Sequence, residues 1–128
     1  TMVSRRDRDD GRKGGGVVVY ALTQLAGRVS LLEKSATAER LWLLLHAGRG
    51  PYVLGVWYRP PAPGETTGVN TLRTEPAQHC EAGLGVLLLG DFNVYHQRWL
   101  RYSSHNCAEG EALCELCDEF GLRQLVKE

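Results

Sequence analysis

The chain has 128 residues, of which 43% are apolar and 23% charged. That composition fits one globular domain or a piece of one and excludes a disordered tail. Fifteen basic and fifteen acidic side chains cancel, so the whole chain lacks the basic excess of a general nucleic-acid binder.

Charge is nevertheless uneven along the chain. Arg5, Arg6, Arg8, Arg12 and Lys13 alternate with Asp7, Asp9 and Asp10 in the first thirteen residues, which read as a flexible, solvated segment. Gly14-Gly15-Gly16 closes that segment and permits close backbone packing. Val17 to Tyr20 follows as a strand, because its β-branched residues suit a pleated surface. Glu39–His46 and Tyr52–Tyr58 are two apolar segments joined by Ala47-Gly48-Arg49-Gly50-Pro51, a hairpin connection rich in turn residues. Arg59-Pro60-Pro61-Ala62-Pro63-Gly64 then ends regular structure, since proline lacks an N–H and restricts the residue before it.

A helix is expected from Val69 onward, with Pro76 near its start or kinking it. Val86-Leu87-Leu88-Leu89 reads as a buried strand that runs into Gly90-Asp91-Phe92-Asn93. Side chains alternate along a strand, so Asp91 and Asn93 should share a face while Phe92 turns to the core. Leu113, Leu116, Cys117 and Phe120 form one helical face over Gly110–Phe120, capped by Gly121. Leu122 to Val126 is expected as a further strand. The expected fold class is α/β (α+β), with a sheet layer under helices.

No stretch has the length of a membrane span, and the amino terminus lacks the apolar region of a secretory signal. The expectation is a soluble protein in a reducing, intracellular setting. Cys80, Cys107, Cys114 and Cys117 are read as thiols, although an even count also permits disulfides.

Gly-Asp-Phe-Asn-Val-Tyr-His with Trp99 beyond it, Gly-Val-Trp-Tyr-Arg-Pro-Pro over 55–61, and Arg6-Asp7-Arg8 before the glycine triplet together resemble the endonuclease/exonuclease/phosphatase superfamily. The nearest branch is the endonuclease domain of non-LTR retrotransposons, part of their reverse transcriptase polyproteins. The resemblance implies a four-layered sandwich of two mixed β-sheets flanked by helices, of which residues 1–128 would be a partial domain. It also implies hydrolysis of phosphodiesters with Mg2+ or Mn2+, DNA as partner of the parent protein, and an intracellular, nuclear site of action.

By the same resemblance, Asp91 orients or deprotonates the attacking water, Asn93 bonds the scissile phosphate, Tyr58 reaches that phosphate, and His96 plays a supporting part. The family's metal-binding glutamate would lie upstream of Thr1 and its Ser-Asp-His motif beyond Glu128. The first strands of the domain would then be missing, leaving bare strand edges, apolar faces and impaired activity.

Other readings compete at each point. Gly-Asp-x-Asn alone makes a turn in which Asp and Asn bond their own backbone. Trp42, Trp57 and Trp99 are packing residues, with base stacking open for Trp99. Arg98 and Arg101 are solvated surface or phosphate contacts. His105, Cys107, Cys114 and Cys117 contain a Cys-x-x-Cys and could hold zinc, but the last two fall beside an apolar helical stripe, where thiols act as small hydrophobes. His46 and His79 belong to no pattern. The functional alternative to a nuclease is an inactive retroelement remnant or a nucleic-acid-binding module of the same fold.

Overall fold

The computed structural model describes residues 1–100 and 102–126, with the side chains at 76–78 and 80 outside that description. Arg101 and the Cys80 side chain, both considered above, therefore lie outside the described residues. Among the described residues, six strands and three helices follow in the order β1 (Met2–Asp7), β2 (Gly16–Tyr20), α1 (Thr23–Ala26), β3 (Val29–Lys34), β4 (Glu39–Leu45), β5 (Tyr52–Tyr58), α2 (Thr67–His79), β6 (Val86–Asp91) and α3 (Ala108–Phe120), with a 3-10 turn at Cys80–Ala82.

The strands form two sheets, an antiparallel pair β1-β2 and a mixed sheet ordered β3-β4-β5-β6. The α/β class expected from the sequence holds. β4 and β5 are the predicted hairpin, antiparallel from Glu39 opposite Tyr58 to Leu45 opposite Tyr52. β6 joins β5 in parallel, so the carboxyl ends of these two strands lie together.

Alternation in β4 and β5 assigns the two faces of the larger sheet. Trp42, Val53 and Trp57 pack with Val69 and Leu72 of α2 and with Leu113, Leu116 and Cys117 of α3 in one core. Leu41 and Leu43, fully buried, point the other way, where β1 lies over β3 and β4, and β2 over β4 and β5. The glycine triplet serves this second layer. Gly16 has φ +111, and a Cβ there would stand 2.5 Å from the Arg6 carbonyl oxygen, a position that only glycine fills without moving the backbone.

α3 forms for the reasons its sequence suggests. Cys107 caps it, its Sγ accepting from the Gly110 N–H at 3.3 Å, and Glu109 and Glu111 stand in the first turn, where negative charge complements the helix dipole. Gly121 ends it in the left-handed region at φ 68.

Several expectations need correction. The first thirteen residues are not a free segment: Met2–Asp7 pairs with β2, and Arg6 donates to the Ser35 carbonyl at 2.8 Å, so the backbone ladder overrides a charge pattern typical of solvated chain. β6 is an edge strand rather than a buried one. Val86 and Leu88 pack on the core, but on the other face, where the β1-β2 layer lies mainly over β3, β4 and β5, Leu87 and Leu89 are 40% and 51% exposed.

Residues 122–126 form no strand. The Leu122 N–H turns back to the Cys117 carbonyl at 2.8 Å, completing the helix cap instead of entering a sheet. α2 begins at Thr67 and carries Pro76 in its last turn, rather than near its start. β3 was not foreseen. No helix among the described residues is long and apolar enough to cross a membrane.

Candidate functional site

The carboxyl ends of β5 and β6 build the mouth at which three of the residues singled out by the sequence, Tyr58, Asp91 and Asn93, meet. Parallel pairing sets Asp91 beside Tyr58. Paired residues of parallel strands project to the same face, so both side chains leave the sheet on the side of β1 and β2. Asp91 is exposed and Tyr58 half-buried.

Asn93 reaches this mouth by another route than strand alternation. The strand ends at Asp91, and Asn93 adopts φ 47, a left-handed conformation that asparagine tolerates better than most residues. Its backbone N–H donates to Asp91 Oδ1 at 3.1 Å, and its side-chain Nδ2 donates to the Arg59 carbonyl at 2.8 Å. The self-bonded turn is thus formed, and the same turn delivers Asn93 to the end of β5. Phe92 faces inward as expected, its ring 5.3 Å from that of Trp57.

Two hollows flank the mouth, and Ala62 lines both. One, of about 330 Å³, is lined by Arg6, Arg8, Glu39, Tyr58, Arg59 and Thr67 among others. The other, of about 260 Å³, is lined by Asn93, Tyr95, His105, Cys107 and Glu109 among others. Arg6 and Arg8, from the run before the glycine triplet, thereby come to the same cleft as Tyr58. The cleft is not a cationic trough. Arg8 is held by Glu39, a pair only 17% and 10% exposed, and Arg6 pairs with Asp9 at 3.3 Å.

His96 sits apart from the three. It is 4% exposed, its Nε2 faces Glu111 Oε2 at 3.2 Å, and its backbone N–H donates to Ser103 Oγ at 3.1 Å. The contact with Glu111 ties the loop after β6 to α3, and the bond to Ser103 closes the loop on itself.

Comparison with family models, with curated proteins and with solved structures finds no match for the chain. Any functional reading therefore rests on the residues themselves.

The residues do not fit a divalent-cation site on their own. Among the described residues no three His, Cys, Asp or Glu side chains are grouped to hold a metal ion, and one oxygen of Asp91 already accepts from Asn93. A hard cation needs several oxygen ligands. The Cys-x-x-Cys thiols are core groups instead: Cys114 and Cys117 are each 5% exposed, and burial pushes the Cys117 thiol up to about 11. Trp99 packs partly buried against the core.

Sequence reasoning missed two buried charges at the mouth, Arg59 and Glu109, which are 2% and 3% exposed. Glu109 accepts from the Gly64 N–H at 3.0 Å. Burial pushes its carboxyl up, but bonds from its own backbone N–H, the Cys107 side chain and Gly64, with the charge of Arg59, hold it below the ordinary carboxylate range. Arg59 directly follows Tyr58 in the sequence, and a cation between a strand end and two prolines was the available signal.

Proposed function

We propose that this domain recognises and hydrolyses a phosphodiester at the mouth of β5 and β6, as a DNA-nicking endonuclease of the retrotransposon type. The observation that carries the reading is the side-by-side placement of Tyr58 and Asp91 on one sheet face, with Asn93 folded back onto the end of β5. Three motifs far apart in sequence, around 6–8, 58–61 and 90–93, support it by meeting in one region.

The chemistry asks for a base near a water, and for donors on the phosphoryl oxygens. Asp91 Oδ2 is the acceptor for the water, because Oδ1 is occupied by the Asn93 N–H. The Asn93 amide has two N–H donors; one is spent on Arg59, and the other is the proposed contact to a phosphate oxygen. The Tyr58 hydroxyl supplies a further donor. A magnesium ion would neutralise charge on the phosphate, and its ligands would have to be completed by groups other than those described here. DNA, an intracellular location and the cation all belong to this proposal.

The missing ligand set favours a second reading, a module that binds nucleic acid without cutting it. Nicking of supercoiled plasmid separates the two. Slow nicking that requires added Mg2+, stops with EDTA and falls about 100-fold or more in Asp91→Ala is the expected result. Plasmid retained in a gel shift but left intact with Mg2+ would establish the binding module instead.

A further inference from the structure

We propose that Arg59 is a positioning residue for this mouth, clasping the Asp91–Asn93 turn to the end of β5; the inference rests on the phosphodiester reading above. Arg59 is bonded to the turn in both directions. Its backbone N–H donates to the Asp91 carbonyl at 2.9 Å, and its own carbonyl accepts from Asn93 Nδ2 at 2.8 Å. Its guanidinium then reaches past the strand end. Nη1 donates to the carbonyls of Phe92 at 3.4 Å and Asn93 at 3.2 Å, and Nη2 to those of Ala62 at 3.1 Å and Glu65 at 2.6 Å.

A buried cation normally sits against a carboxylate. Here the nearest paired carboxylate, Glu65, lies 3.5 Å away with its side chain 41% exposed, and backbone carbonyls take most of the donors. Those carbonyls come from two loops: the proline-rich segment after β5 and the turn after β6. The planar fork of arginine can span both, whereas the single ammonium of lysine cannot. Arg59 also fixes the carbonyl of Asn93, the one non-glycine residue with positive φ among the described residues. The geometry therefore sets the aim of the Asn93 amide and the height of Asp91 through Arg59, which itself need not touch substrate.

Arg59→Lys in the 15N-labelled chain tests the clasp by NMR, without DNA or metal. The expected result is exchange of the Asn93 side-chain and backbone amide protons faster by about tenfold, the scale of one lost charge-assisted bond, with the Trp42 indole N–H signal unchanged. A lower melting temperature with Asn93 exchange as in the wild type would show that Arg59 serves only the fold, and would overturn the proposal.

Should Arg59→Lys fail to fold, the unsubstituted chain decides. The Arg59 amide N–H must then be protected to the level of the central β5 amides, and exchange at loop rates would overturn the clasp. In a chain that nicks plasmid, unchanged nicking by a variant whose Asn93 amide has been released would overturn the positioning role. Failure of the nuclease reading itself leaves the exchange result standing, so the two are told apart.

Discussion

Replacing Glu75 by alanine is expected to lower the unfolding free energy by about 3–5 kcal/mol, the usual cost of removing one partner of a buried ion pair. Glu75 is 7% exposed and Arg40 fully buried, and the two are directly paired. The carboxylate also accepts from Ser35 Oγ at 2.6 Å and from the Trp42 indole at 2.8 Å. The Arg40 guanidinium, 4.7 Å from the Trp57 ring, would be left without its carboxylate in the core. Because domains of this size are stable by only about 5–15 kcal/mol, urea denaturation should show a midpoint well below that of the parent with a similar slope.

The same carboxylate gives a pH signature. Burial pushes Glu75 up, but bonds from Arg40, Ser35 and Trp42 outweigh it and hold the carboxyl below its ordinary range. A carboxyl whose folded value lies below its unfolded value adds stability above the unfolded value, near pH 4 or roughly so, and loses it as pH falls through the folded value. The stability advantage of the parent over Glu75→Gln should accordingly be full near neutrality and shrink in acid. A constant gap from neutral pH into acid would contradict that assignment.

Gly90→Ala is the second large effect. Gly90 has φ +145, and a Cβ there would lie 1.8 Å from the Trp57 carbonyl oxygen, in the parallel pair that precedes Tyr58 and Asp91. Neither the backbone oxygen nor the strand pairing can yield cheaply. A loss of about 3–5 kcal/mol is expected from backbone strain and broken pairing together. Even if the variant folds, Asp91 should move off the end of β5, so plasmid nicking or phosphodiester binding should fall with it. Parental stability in Gly90→Ala would mean that β6 is not held against β5 in this register.

The legibility of this fold follows from where local and tertiary signals agree. The β4-β5 hairpin and α3 were readable because apolar spacing, turn residues and caps all point one way. α2 was faint for a physical reason: its inward stripe runs Val69, Leu72, Glu75, and the third member is a carboxylate satisfied by Arg40 and Trp42 rather than an apolar side chain. The first residues looked like solvated chain because their cations find partners far away in sequence, Arg6 of β1 the Ser35 carbonyl and Arg8 just after it the Glu39 carboxylate, which no local window reveals. The apolar run of β6 reads the same on an edge as in the middle of a sheet. At the site, Tyr58, Asp91 and Asn93 were legible as motifs, while Arg59 and Glu109 became significant only once two loops were folded together.

The central claim is that Tyr58, Asp91 and Asn93 form one phosphodiester-recognising mouth, and NMR titration of the labelled chain with the dinucleotide dTpdT tests it most directly. Saturable shifts centred on the amides of Tyr58 and Asp91–Asn93, lost in Asn93→Ala, are the predicted result. Shifts confined to other surfaces, or the same response in Asn93→Ala, would contradict the account.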